Sequence, residues 1–177
     1  MKKCAIFLFI ATLLFSCGKK YENPNYVEIN GQSHPLGYAF YEDYGTALSG
    51  DVLYRDYYIE LQSKHSDGRL PSTTLGFNLY SWNARGIGDG TYYFDNSIGS
   101  FQDVRVGINQ QYDGKGYVVS GDFFSTLDTK YSNRVEIRTG KQDKKIFDIN
   151  LRFIKGGQSY LVVAHYEANL YDLSSLE

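Results

Sequence analysis

From Tyr26 onward, apolar side chains recur at every second position, and no stretch keeps a 3.6-residue apolar period for three turns. Alternate residues of an extended chain point to opposite faces, so a chain patterned this way can bury one side of a sheet and wet the other, but cannot fold as a helical bundle. The cleanest run sets Phe147, Ile149, Leu151 and Phe153 against Asp148, Asn150 and Arg152. Shorter runs place Tyr57, Ile59 and Leu61, then Leu75, Phe77 and Leu79, then Val104, Val106 and Ile108, then Val135 and Ile137 on inward faces. A final strand, from Ser159 to about Asp172, carries Tyr160, Val162, Ala164, Tyr166 and Ala168 on one face. Between these segments stand Asn30-Gly31, Asp67-Gly68, Asp89-Gly90, Asp113-Gly114 and Gly156-Gly157, pairs that accept the positive φ of tight hairpin turns. The spacing predicts nine or ten strands. Hairpins following one another favour an antiparallel β-sandwich, with a small up-and-down β-barrel as the alternative.

Aromatic side chains supply the bulk for such a core: 17 Tyr, 11 Phe and one Trp make up 16% of the chain. These residues suit a pleated, half-buried surface, and Tyr keeps its hydroxyl in water while its ring is buried. Many Tyr are therefore expected on the outer faces.

The amino terminus follows a different logic. Lys2-Lys3 precede an apolar run from Ala5 to Phe15, which is too short to span a bilayer as a permanent helix, and Leu14-Phe15-Ser16-Cys17-Gly18 follows. This is the pattern of a lipoprotein signal peptide over residues 1–16. Cys17 is the expected site of lipidation, with Ser16 small enough for the cleavage pocket and Leu14 filling an apolar subsite. Acyl chains such as palmitate contribute about 0.8 kcal/mol per buried methylene and would hold the chain on a membrane. Residues 17–25, polar and containing Pro24, read as the lipidated cysteine and a tether, and residues 26–177 as one β-domain.

Charge and cysteine content exclude several function classes. The formal charge of −2 becomes −4 once Lys2 and Lys3 leave, which argues against nucleic acid as a partner. Of the two cysteines, Cys4 departs with the signal and Cys17 is taken by lipid, so the domain has no thiol for a disulfide or a thiolate metal site. His34, His65 and His165 stand alone, with no His-x-x-x-His spacing. No Asp-Gly pair extends into a calcium loop, and no Gly-x-Ser-x-Gly elbow occurs. No metal and no cofactor are expected.

The succession of the lipobox cysteine, Ile29-Asn30-Gly31, Gly90-Thr91-Tyr92-Tyr93-Phe94, Asn133-Arg134-Val135-Glu136-Ile137, the 147–153 strand and the Gly-Gly hairpin resembles the small β-sandwich lipoproteins of Gram-negative gut anaerobes. The resemblance implies a sandwich fold and an outer-membrane location, and brings no catalytic residues with it. Many surface-exported lipoproteins of such bacteria carry acidic residues after the lipidated cysteine. This chain has Gly18-Lys19-Lys20, which points to the periplasmic side.

One constellation suggests a ligand. If the segments around 51–64 and 73–83 form a hairpin, Leu53, Tyr57, Ile59 and Leu61 face the core, with Arg55 at its margin. The outer face then gathers Tyr54, Asp56, Tyr58 and Glu60 with Asn78, Tyr80 and Trp82. Aromatic rings beside planar acids and amides can stack on sugar C–H faces and bond sugar hydroxyls, so a glycan is the expected ligand. The same pattern also arises from cross-strand aromatic pairs that only stabilise a sheet. The reading is a non-catalytic binding or accessory module anchored to the membrane. An assembly subunit pairing through a sheet edge is the alternative. A glycoside hydrolase using two of Asp122, Glu136, Asp148 and Glu167 ranks third.

Overall fold

The structure, a computed structural model, describes residues 24–65, 69–95 and 97–173. The signal segment, Cys17, nearly all of the tether and the Asp67-Gly68 turn lie outside these residues. Twelve strands follow: β1 (Tyr26–Ile29), β2 (Gln32–Pro35), β3 (Tyr38–Ser49), β4 (Val52–Gln62), β5 (Thr74–Ser81), β6 (Gly90–Phe94), β7 (Ser100–Tyr112), β8 (Val118–Phe124), β9 (Arg134–Thr139), β10 (Lys145–Lys155), β11 (Gln158–Ala168) and β12 (Tyr171–Asp172). A single 3₁₀ turn spans Lys141–Asp143. The all-β class is as the alternation requires.

The strands form one curled sheet in the order β12-β3-β4-β5-β7-β6-β9-β10-β11-β1-β2, with β8 pairing β7 off this path. The sheet is mixed where a purely antiparallel one was expected: β6 runs parallel to β7, and β12 parallel to β3. Each parallel pairing spans only two residues on either strand, too short to mark the sequence. Two-residue turns do form at Asn30-Gly31, with φ of 47° and 86°, and at Gly156-Gly157, with φ of 58° and 78°. They set the registers of β1 with β2 and of β10 with β11.

The curl closes an apolar interior. Phe77 of β5 meets Phe101 of β7 edge-on at 6.1 Å and Phe147 of β10 at 6.5 Å, although three strands separate β5 from β10 in the sheet order. Phe147, Ile149, Leu151 and Phe153 are all buried, as are Tyr57, Ile59, Leu61, Leu75, Phe77 and Leu79. Each such side chain contributes about 1.5–3 kcal/mol through burial. Leu53 does not join them and is 46% exposed. β5 ends at Ser81, opposite Arg55, so the tip of the β3–β4 hairpin overhangs the body and nothing covers Leu53. Arg55 lies where its parity places it, at the rim of the interior, paired with Asp43.

Candidate functional site

β4 and β5 pair antiparallel with Asp56 opposite Tyr80 and Tyr58 opposite Asn78, so the hairpin does align the expected residues on its outer face. Tyr54, Asp56, Tyr58, Glu60, Asn78 and Tyr80 are all half-buried, whereas Trp82 follows the end of β5 and is exposed. The face divides into two parts.

Toward β5's start, the polar groups are satisfied among themselves. Tyr58 donates its hydroxyl to Glu60 Oε2 at 2.6 Å, and Gln62 donates to Glu60 Oε1 at 2.6 Å. Asn78 donates to Asp103 Oδ2 of β7 at 3.2 Å. The Tyr58 ring lies over Gly76, where any Cβ would come within 2.4 Å of the hydroxyl oxygen. Burial first, and then the hydrogen bond to Glu60, push the Tyr58 hydroxyl above its usual pKa.

Toward the hairpin tip, groups are left open. The Tyr54 and Tyr80 rings meet edge-to-face at 5.8 Å and 85°. They wall a groove of about 270 Å³ completed by Ser49, Ser97, Ile98 and Gln102. Beside it, Asp56 Oδ1 is shut away from solvent with no hydrogen-bond partner. Burial raises the Asp56 pKa against the pull of the Tyr57 amide. Two aromatic rings and the polar side chains of Ser49, Ser97 and Gln102 thus border a small open space, as in a site for a hydroxyl-bearing molecule.

Trp82 stands apart from this groove. Its indole stacks on Tyr92 at 4.7 Å and 7°, and 45% of the residue is exposed. Gly88, Gly90 and Gly99 surround the ring: a Cβ would fall 2.3 Å from it at Gly90 and 2.5 Å at Gly99. Tyr92 is fully buried and donates its hydroxyl to Gly88 O at 2.8 Å, so Trp82 caps the end of the core.

Sequence reasoning missed Ser49 of β3, Gln102 of β7, and Ser97 and Ile98, which precede β7. β3 is hard to see because both of its faces carry aromatic or acidic residues, Phe40 and Glu42 outward and Tyr41 and Asp43 inward, so no alternation shows. The other residues come from segments with no motif.

Three of the four carboxylates considered for hydrolysis, Asp122, Glu136 and Asp148, are engaged in ion pairs. Arg138 binds both Glu136 and Asp148, and Asp148 also bonds His165 Nδ1 at 2.6 Å. Burial acts to raise the Asp148 pKa, but the His165 and Arg138 hydrogen bonds outweigh it and hold the carboxyl low. Asp122 pairs with Lys155 at 2.9 Å. Among the described residues, no group of three or more His, Cys, Asp or Glu side chains is placed to hold a metal ion.

No protein-family model, no curated protein and no solved structure matches this chain.

Proposed function

We propose that this chain is a lipid-anchored protein of the outer membrane, held on the periplasmic side through Cys17, and that it binds a glycan without catalysis in the groove between Tyr54 and Tyr80. The observation that carries the ligand reading is the pair of ring walls around a groove that also presents Ser49, Ser97 and Gln102, with Asp56 of β4 directly opposite Tyr80. Glu42, Asp56, Glu60 and Asp103 outnumber the cation Arg105 on the surrounding face, so the ligand is a neutral sugar rather than a uronate or a sulfated one. We read the curl as a barrel-like closure, because β12 begins just after β11 and pairs with β3.

Titration with a library of neutral oligosaccharides tests the groove. Tyr80→Ala and Asp56→Asn should each weaken binding roughly tenfold, the scale of losing one central contact. Unchanged affinity in both variants would remove the groove from consideration. The anchor is tested separately by metabolic labelling with a fatty-acid probe, which should mark the wild type and leave Cys17→Ser unlabelled. Protease treatment of intact cells should spare the domain if it faces the periplasm.

One observation favours the assembly alternative. β8 pairs only with β7, and six of its seven residues, Val118 to Phe123, are exposed. An edge strand without proline or lysine can add a strand from another chain. If it does, Val119→Pro should convert an oligomer to a monomer in light scattering.

A further inference from the structure

At the far end of the sheet from Asp43 and Arg55, the β1–β2 hairpin faces the β7–β8 hairpin across a crevice of about 270 Å³. Its polar wall carries His34, Gln32, Asn30 and Asn109. His34, on the inward face of β2, is 8% exposed, and its imidazole has no hydrogen-bond partner among the described residues although it lines the crevice. Gln32 and Asn109 line the same space and are likewise unpartnered among the described residues. Asn30 uses its Oδ1 to accept the Leu161 amide at 2.9 Å, which leaves its NH₂ group open. The opposite wall is apolar, formed by Ile29, Ile108 and the Phe124 ring, with Tyr160 packed on Phe124 at 5.0 Å.

Desolvation keeps the His34 imidazole below its usual pKa, so at neutral pH it is uncharged and offers one donor and one acceptor. The amides of Gln32, Asn109 and Asn30 likewise donate and accept. The only carboxylate on the wall, Asp122, is neutralised by Lys155, whose ammonium also lies 4.8 Å from the centre of the Phe124 ring, so the pair leaves no net charge beside the space. The wall therefore matches neither an anion nor an amine. It matches hydroxyl groups, which donate and accept in turn, while the apolar wall matches the C–H face of a ring.

We propose that this crevice is a binding site for one neutral polyhydroxylated ring, a pyranose unit, held by His34, Gln32 and Asn109 against the apolar wall of Ile29 and Ile108. It shares no residue with the groove at Tyr54 and Tyr80, and it stands whether or not that groove binds.

The test uses the full chain in a zwitterionic detergent that lacks sugar headgroups, with histidine labelled for NMR and the His34 resonances assigned by loss in His34→Gln. The probes are methyl β-glucoside, methyl β-galactoside and methyl α-mannoside, with glucuronate and glucosamine as charged counterparts. At least one neutral glycoside should shift the His34 imidazole resonances saturably, and its charged counterparts should bind more weakly. Gln32→Ala and Asn109→Gly should each weaken that binding roughly fivefold, the loss of one neutral hydrogen bond. Both are conservative for folding: Gln32 is exposed, and Asn109 already has a φ of 52°, which glycine accepts. Absence of any His34 shift with all three neutral glycosides overturns the proposal. So do shifts that persist at full affinity in both variants. A shift that vanishes in Tyr80→Ala also overturns it, because the signal would then be relayed from the other groove.

Discussion

Two side chains in the core region bear opposite signs of strain. Tyr166 is fully buried, its hydroxyl has no hydrogen-bond partner, and burial pushes its pKa up to about 12. Tyr166→Phe removes the unsatisfied group and keeps the ring, so stability in urea should rise by about 1–3 kcal/mol. Trp82 is the reverse case, a ring whose position depends on its neighbours having no side chain. Gly99 has a φ of 78°, and a Cβ there would fall 2.5 Å from the indole. Gly99→Ala should expel Trp82 from Tyr92, seen as a red shift of the only tryptophan's emission together with a lower Tm. The membership of the outer face was legible at this scale, because parity alone sets Tyr54, Asp56, Tyr58 and Glu60 on one side of β4. Which members remain open was not. That depends on partners such as Gln62 and Asp103, whose reach no spacing encodes.

At the level of the element, β10 was readable over residues 147–153, where the inward residues are all apolar and the outward ones all polar. Ile149→Ala should cost about 2–5 kcal/mol as a core truncation. Asn150 faces outward but accepts the Tyr131 hydroxyl at 2.8 Å, so Asn150→Ala should cost about 0.5–1.5 kcal/mol and not zero. Comparable denaturant midpoints for the two variants would contradict the assigned faces. β3 was not readable, because inside the curl it presents Tyr41 and Asp43 to a polar rim while its outer face carries Phe40 and Tyr38. Amphipathic patterning fails wherever a strand passes from the core to an opening. The turn after β5 was equally silent. There Ser81, fully buried, donates to Gly86 O at 3.0 Å and accepts the amides of Asn83 at 3.2 Å and Gly88 at 3.0 Å. One serine organises the whole bend.

For the whole molecule, acid stability follows from the signs of its carboxylates. Asp43 is held below the ordinary range by hydrogen bonds from Arg55, Asp89 by Lys145, and Asp148 by His165 and Arg138 against its own burial. Their contribution is complete above the ordinary carboxylate pKa and is lost as pH falls through the lower folded values. His34 acts earlier. Its folded pKa lies below 6.5, so the unfolded chain takes up a proton before the native one does, and stability should begin to decline as pH drops past 6.5. Thermal melts should therefore decline in two stages, and His34→Gln should abolish the first. The class of fold was legible because alternation is local. The curl was not, because it depends on pairings between strands far apart in the chain.

The pairing of β1 with β11 has a consequence in time. Asn25 accepts the Glu167 amide at 2.8 Å across 142 residues, and β1 takes its place in the sheet only against β11. A chain that emerges from its amino terminus cannot set its first strand until nearly the last has arrived. β1 and β2 must wait as an unplaced hairpin while the rest collapses, and the loop-closure entropy of that final step makes high contact order the governing feature of folding speed. Any chain that stops before β11 leaves β1 without a neighbour on that side and β10 with a bare edge, so shortening at the carboxyl end should abolish the fold as a unit rather than trim it.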